Sequence, residues 1–231
     1  MRIDIVTAFP KIFGSVFSES IVKRAVSSGR VRIVIHDLRD YASDKRRTVD
    51  DRPFGGGPGM VLMVEPIYKA IESIKLRLKS KSVPIYLLSP QGRIFDQKMA
   101  QTMSTKDHLI LICGHYEGID ERVIKLLKAK EISVGDYVLS GGEIAAMAIT
   151  DAVVRLVPGV LGDEKSLETE SFSGAHQNAF DYPSYTRPRR FRSLETPKIL
   201  LTGDHEKIQE WRTAQALAKT KKNRPDLLET R

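Results

Sequence analysis

The sequence predicts an α/β fold, a parallel sheet flanked by helices, with a small all-helical part at the C-terminal end. Three observations predict it. Apolar runs at residues 85–88, 109–113 and 132–139 each lead into a glycine-bearing polar segment, as buried parallel strands do when their carboxyl ends carry loops and a ligand site. Residues 2–38 read as strand, helix, strand, a βαβ unit that requires parallel pairing. Beyond residue 178 the strand pattern gives way to a basic stretch with a helix start at Thr202-Gly203-Asp204.

Composition bounds the answer. The 231 residues are 41% hydrophobic and 29% charged, enough for one large domain or a medium one plus a small one. A formal charge of +8 and a sequence pI near 9.5 favour an anionic partner, nucleic acid first among them. Cys113 is the only cysteine, which excludes an intramolecular disulfide and points to a reducing, cytoplasmic setting. Met1 opens directly into a strand pattern, and no run approaches the roughly 18 apolar residues of a membrane span, so no membrane partner is expected.

In order, residues 2–9 form a strand stopped by Pro10, 12–26 a helix closed by Ser28 and Gly29, and 31–38 a second strand. From 40 to 65 periodicity vanishes around PFGGGPGM at 53–60, a segment open to reading as either a flexible linker or a functional loop. Residues 66–78 form a helix with proline in its first turn, followed by the strand at 85–88. Residues 96–103 form a helix capped by an aspartate, ahead of the strand at 109–113. A helix at 119–127 has Asp120 and Glu121 in its first turn, as the macrodipole favours. The strand at 132–139 and an alanine-rich helix at 143–156 complete the sheet domain. A linker is expected at 162–178. After it, Arg187, Arg189, Arg190 and Arg192 alternate with Tyr182, Tyr185 and Phe191, a composition open to reading as an RNA surface or as a solvated charged face. The last helix runs from the cap at Asp204 through Leu217.

Familiar site signatures fail residue by residue. Neither a phosphate loop of the G-x-x-x-x-G-K-[ST] type nor a G-x-G-x-x-G turn is present, and the five histidines with one cysteine lack zinc-ligand spacing. Cys113 ends an apolar strand with no activating partner in its neighbourhood and reads as structural. Glu117 and Glu143 follow glycine loops and read first as carboxylates serving a helix start.

Several long motifs nevertheless occur in one order: PFGGGPGM (53–60), LSPQG (88–92), CGHYEGIDER (113–122), VGDYVLSGGE (134–143), RLVPGVLG (155–162) and YTRP (185–188). Together they resemble the bacterial tRNA (guanine-N1)-methyltransferases of the SPOUT class, from the first strand almost to the C-terminus. That resemblance implies S-adenosylmethionine as methyl donor and transfer to N1 of the guanine at position 37 of tRNA, next to the anticodon. It also implies a deep trefoil knot late in the α/β domain, which ordinary topology rules disfavour, and a homodimer with its active sites between subunits. The implied domains are 1–161 for the methyl donor, 162–178 as a flexible linker and 179–231 as a helical tRNA-binding part. Other members of the class that modify ribose or ribosomal RNA, and a non-catalytic RNA-binding module, are the competing readings.

Carried over by motif, the donor pocket would be Leu88, Ser89, Pro90, Gly114, Val134, Gly135, Asp136, Tyr137, Val138, Leu139, Gly141 and Gly142. The imide proton at N1 calls for a base and the charge growing on O6 for a cation. The resemblance assigns these to Glu170 and Arg155, with Glu117 as an auxiliary in a magnesium-assisted transfer and Arg187, Arg189 and Arg190 as tRNA contacts. No metal site is legible in the sequence. The chain departs from the family pattern at Glu170, where Asp is common, at His115, where Arg is common, and at 174–180, which is longer than usual.

Overall fold

The computed structural model describes residues 1–79, 82–163, 167, 170–172 and 179–228. The chain divides into two compact units, Met1–Gly162 and Asp163–Arg231. Most of the expected linker, and of the lengthened 174–180 stretch, lies outside the described residues.

The first unit is built on five parallel strands. They are β1 (Arg2–Thr7) and β2 (Arg32–Asp37), then β5 (Ile85–Ile94), β6 (His108–Cys113) and β7 (Lys130–Ser133), after a small antiparallel pair of β3 (Asp50–Asp51) and β4 (Val61–Leu62). Spatial order is β2-β1-β6-β5-β7. Every neighbouring pair is parallel, so each connection must cross a face, and helices supply the crossings. The helices are α1 (Gly14–Phe17), α2 (Ser20–Ser27), α3 (Val64–Leu78), α4 (Gln97–Ser104), α5 (Arg122–Leu127) and α6 (Glu143–Val154).

Strand alternation divides the core into two layers. Ile3, Ile5, Leu109, Leu111 and Cys113 pack with α2, α4 and α6, whereas Val6, Ile110, Ile112, Ile85 and Leu87 pack with α3 and α5. Because side chains alternate across a strand, adjacent residues of one strand serve opposite helix layers. A sheet covered on both faces leaves its carboxyl edge as the open crevice where a site can form.

The elements differ from expectation in four places. Residues 12–26 are not one helix: Ser20 takes a positive φ of 53° between α1 and α2, leaving Ile12 and Val16 exposed. β5 outruns its apolar stretch, because Leu88 and Arg93 both pair with Ile132 and the segment between them loops out. β7 ends at Ser133, where the Ser133 hydroxyl turns the chain by donating to the Gly135 carbonyl at 2.9 Å. α5 starts at Arg122, with Asp120 just ahead of it accepting from the Arg122 amide at 2.9 Å.

In the second unit, the all-helical expectation is corrected by a short antiparallel hairpin, β8 (Arg190–Phe191) with β9 (Leu194–Glu195). The long helix α7 (His205–Asn223) begins at its Asp204 cap, which accepts from the Lys207 amide at 3.2 Å, and runs six residues past Leu217. It buries Ala216 and Thr220. Thr220 Oγ1 donates to the Ala216 carbonyl at 2.8 Å and accepts from the Phe180 amide at 2.9 Å, which ties the incoming strand to the helix.

Candidate active site

Three loops meet at the carboxyl edge of the sheet. The glycine-rich loop after β3 is joined to the loop after β6 through the Glu117 amide on the Met60 carbonyl, at 3.0 Å, and the Leu62 amide on the Gly118 carbonyl, at 3.0 Å. This loop is therefore anchored at its end, and the linker reading does not hold there. Gly59, at φ +77°, sits in the left-handed region that favours glycine and lies directly against the Glu117 side chain. The loop after β6 is joined in turn to the start of α6: the Gly142 amide donates to the Gly114 carbonyl at 2.7 Å, and His115 bridges Gly141.

This junction brings Leu88, Gly114 and Gly142 together. A methyl group on Gly142 would sit 2.9 Å from Cys113 Cα and from the Gly114 nitrogen, and 3.2 Å from Leu88 Cβ, so glycine alone permits the approach. Ser89 and Pro90 follow Leu88 in the looped-out part of β5, with the Ser89 hydroxyl accepting from the Gln91 amide at 3.2 Å. Val134, Gly135, Asp136, Tyr137, Val138 and Leu139 form the loop after β7. There the Tyr137 hydroxyl donates to the Val134 carbonyl at 3.2 Å, while Asp136, Tyr137 and Val138 stay exposed. The predicted donor residues thus lie at the looped-out part of β5, on the loops after β6 and β7, and at the start of α6.

The remaining predicted residues divide between the units. Arg155 follows the last turn of α6 and is half-buried, its amide donating to the Asp151 carbonyl at 3.2 Å. Glu117 is exposed on the loop after β6. Glu170 is half-buried in the second unit, and Arg187, Arg189 and Arg190 are exposed there beside the hairpin. Tyr182 is half-buried under the Arg212 guanidinium at 4.5 Å, whereas Tyr185, 6.3 Å from Trp211, and Phe191 are exposed.

Sequence reasoning missed a buried cluster beside this edge. Glu143, 3% exposed, accepts a hydrogen bond from the Thr7 hydroxyl at 2.7 Å and faces His115 Nδ1 at 3.4 Å. It serves more than a helix start. Phe9 stacks on His115 with ring centroids 4.3 Å apart, and these residues line a cavity of about 430 Å³ with Ile12, Asp37 and Arg39. Thr7 stands 136 positions before Glu143, so only the carboxylate after two glycines was visible as a signal. Burial, and secondarily the charge of Glu143, push the Cys113 thiol well above its ordinary range, which makes it inert rather than nucleophilic.

A family profile described as "tRNA (Guanine-1)-methyltransferase TrmD" matches residues 1–230. The chain belongs to this family. It is 56% identical over 229 residues to a tRNA (guanine-N(1)-)-methyltransferase of Dictyoglomus turgidum, covering 99% of this chain and 90% of that one. It is also 55% identical over 231 residues to one of Carboxydothermus hydrogenoformans, covering 100% and 88%. Family membership extends over both units.

The donor that the family implies fits the edge chemically. S-adenosylmethionine has no phosphate, in keeping with a site that lacks a phosphate loop. Its adenine needs apolar contact and backbone hydrogen bonds, and the edge offers exposed Tyr137 and Val138 beside strand-end backbone. For magnesium the case differs: among the described residues, no group of three His, Cys, Asp or Glu side chains is arranged to hold a cation.

Proposed function

We propose that this protein transfers a methyl group from S-adenosylmethionine to N1 of guanine at position 37 of tRNA, giving 1-methylguanosine. That it is an enzyme methylating N1 of a tRNA guanine follows from its family. The finer reading adds the position, a homodimer with its sites between subunits, a trefoil knot and a cytoplasmic setting. The observation that supports it most is the packing of Leu88, Gly114 and Gly142 at one point of the sheet edge, which leaves strand-end backbone and exposed apolar side chains to receive an adenosine. A chain doubling back so closely against β6 is also what a knotted edge would require.

When bound, the donor supplies an electrophilic methyl group on a sulfonium. The rest of the chemistry belongs to the chain. N1 of guanine is a weak nucleophile until its proton leaves, so Glu170 acts as the base that accepts it. Negative charge then moves toward O6, where the Arg155 guanidinium stabilises it. The loop after β7, with Tyr137 and Val138, keeps water from the donor, and Arg187, Arg189 and Arg190 hold the tRNA backbone.

The test is methylation of tRNA bearing guanine at position 37, followed by nucleoside analysis. Arg155→Ala and Glu170→Gln should each lower kcat at least a hundredfold, within the range for a lost base or charge-stabilising donor, with donor affinity nearly unchanged. Full turnover in either variant would remove its assigned role, and a ribose-methylated product would overturn the reaction.

A further inference from the structure

Glu143 is the least exposed charged group at the carboxyl edge, and neither the base nor the cation of the proposed reaction needs it. A carboxylate this buried is costly unless its partners make the burial worthwhile. Its two partners come from different elements. Thr7 closes β1, a central strand fixed on both sides by β2 and β6. His115 belongs to the loop after β6, whose backbone contributes Gly114 to the predicted donor pocket.

The local backbone is arranged around this contact. A methyl group on Gly141 would collide with both Glu143 Oε2 and His115 Nδ1, so glycine there leaves the carboxylate and the imidazole free to meet. The Phe9 ring lies against the imidazole, centroids 4.3 Å apart. His115 thus contacts both an aromatic ring on the chain after β1 and a carboxylate on α6. The same loop continues to Glu117, whose amide is bonded to the glycine-rich loop. Displacing His115 would shift one wall of the donor pocket.

We propose that Glu143 is a positioning residue for methyl-donor binding: anchored by Thr7, it holds His115 and so fixes the loop bearing Gly114. The inference rests on the donor site of the proposed function. A wall that shapes the pocket contributes equally before and during methyl transfer, so its loss raises the donor KM and leaves kcat in place.

The experiment measures donor Kd by calorimetry and steady-state donor KM and kcat on the full chain. Glu143→Ala and His115→Ala should each raise donor Kd and KM about tenfold, equivalent to about 1.4 kcal/mol, with kcat within about twofold. The double variant should be no worse than the worse single one, because both changes break a single contact. Thr7→Val, which leaves the Glu143 carboxylate without its anchor, should shift donor Kd and KM in the same direction as Glu143→Ala, and Thr7→Ser, which keeps the hydroxyl, should behave like the unaltered protein. Unchanged donor binding in His115→Ala, which alters a partly exposed side chain and can be expected to fold, would overturn the proposal, as would additive losses in the double variant. Absence of donor binding in the unaltered protein would instead sink the proposed function itself.

Discussion

The two compact units use polar side chains in opposite ways. In Met1–Gly162 charged groups are taken into the interior and matched: Asp4, fully buried, meets His36 Nε2 at 2.7 Å and Arg2 Nη2 at 2.7 Å, and Glu143 meets Thr7 and His115. In Asp163–Arg231 Arg187, Arg189, Arg190 and Arg192 stay in solvent, Arg212 is half-buried over Tyr182, and the buried polar side chain among the described residues is Thr220. A two-sided sheet core can enclose a charge with several partners around it. One long helix with a short hairpin covers too little volume to do so. The buried acids of the first unit are therefore structural, whereas the exposed arginines beside the hairpin of the second are available to a ligand.

The comparison breaks most visibly at Asp4. Its removal leaves His36 and Arg2 without their shared acceptor, so Asp4→Ala should cost about 3 to 5 kcal/mol in urea unfolding of the first unit; a loss below about 1 kcal/mol, the range of a surface pair, would mean that burial adds nothing. Acid provides a second measurement on the same residue. Burial pushes the Asp4 carboxyl up, but hydrogen bonds from His36 and Arg2 outweigh it, and the net direction is below the ordinary 3.8. A carboxyl held lower in the folded state than in the unfolded chain stabilises fully above 3.8 and loses that stabilisation as pH falls through its folded value. Thermal midpoints should therefore fall more steeply below pH 3.8 in the unaltered protein than in Asp4→Asn.

A smaller effect is expected at Thr220. Thr220→Val keeps the shape but leaves the Phe180 amide without its acceptor, which should weaken the second unit by about 1 to 2 kcal/mol. Faster hydrogen exchange along α7 with unchanged donor affinity would sharpen the contrast between units; equal exchange would remove Thr220 as the tie. The least stability change belongs to the arginines. Replacing Arg187, Arg189 and Arg190 together by alanine should leave unfolding within about 0.5 kcal/mol, while the slope of log affinity for tRNA against log salt falls by roughly 2 to 3. A measured slope that did not change would return these residues to the status of a solvated face.

Much of the fold was legible because burial imposes period. Residues 109–113 read directly as a strand since helix layers cover the sheet on both faces, and 143–156 as a helix since one of its faces is buried against the sheet, although it ends at Val154. Residues 12–26 misled because helical spacing there coincides with partial exposure: Ile12, Val16 and Val26 do not face the core, and a left-handed Ser20 leaves no trace in a hydrophobic pattern. The apolar run at 132–139 was read as one strand because sequence cannot distinguish apolar residues packed in a sheet from Tyr137 and Val138 standing exposed on a loop.

The sequence by itself determined the parallel sheet flanked by helices, the glycine-bearing turns after its strands and the family, since each depends on residue identity or on short-range spacing. Only the tertiary structure decided that Thr7, His115 and Glu143 form one cluster, that the glycine-rich loop is bonded to the loop carrying Glu117, and that Tyr182 is packed under Arg212 while Tyr185 stays open. Parallel pairing places residues far apart in the chain side by side, and hydrogen bonds across such separations have no periodic signature to read.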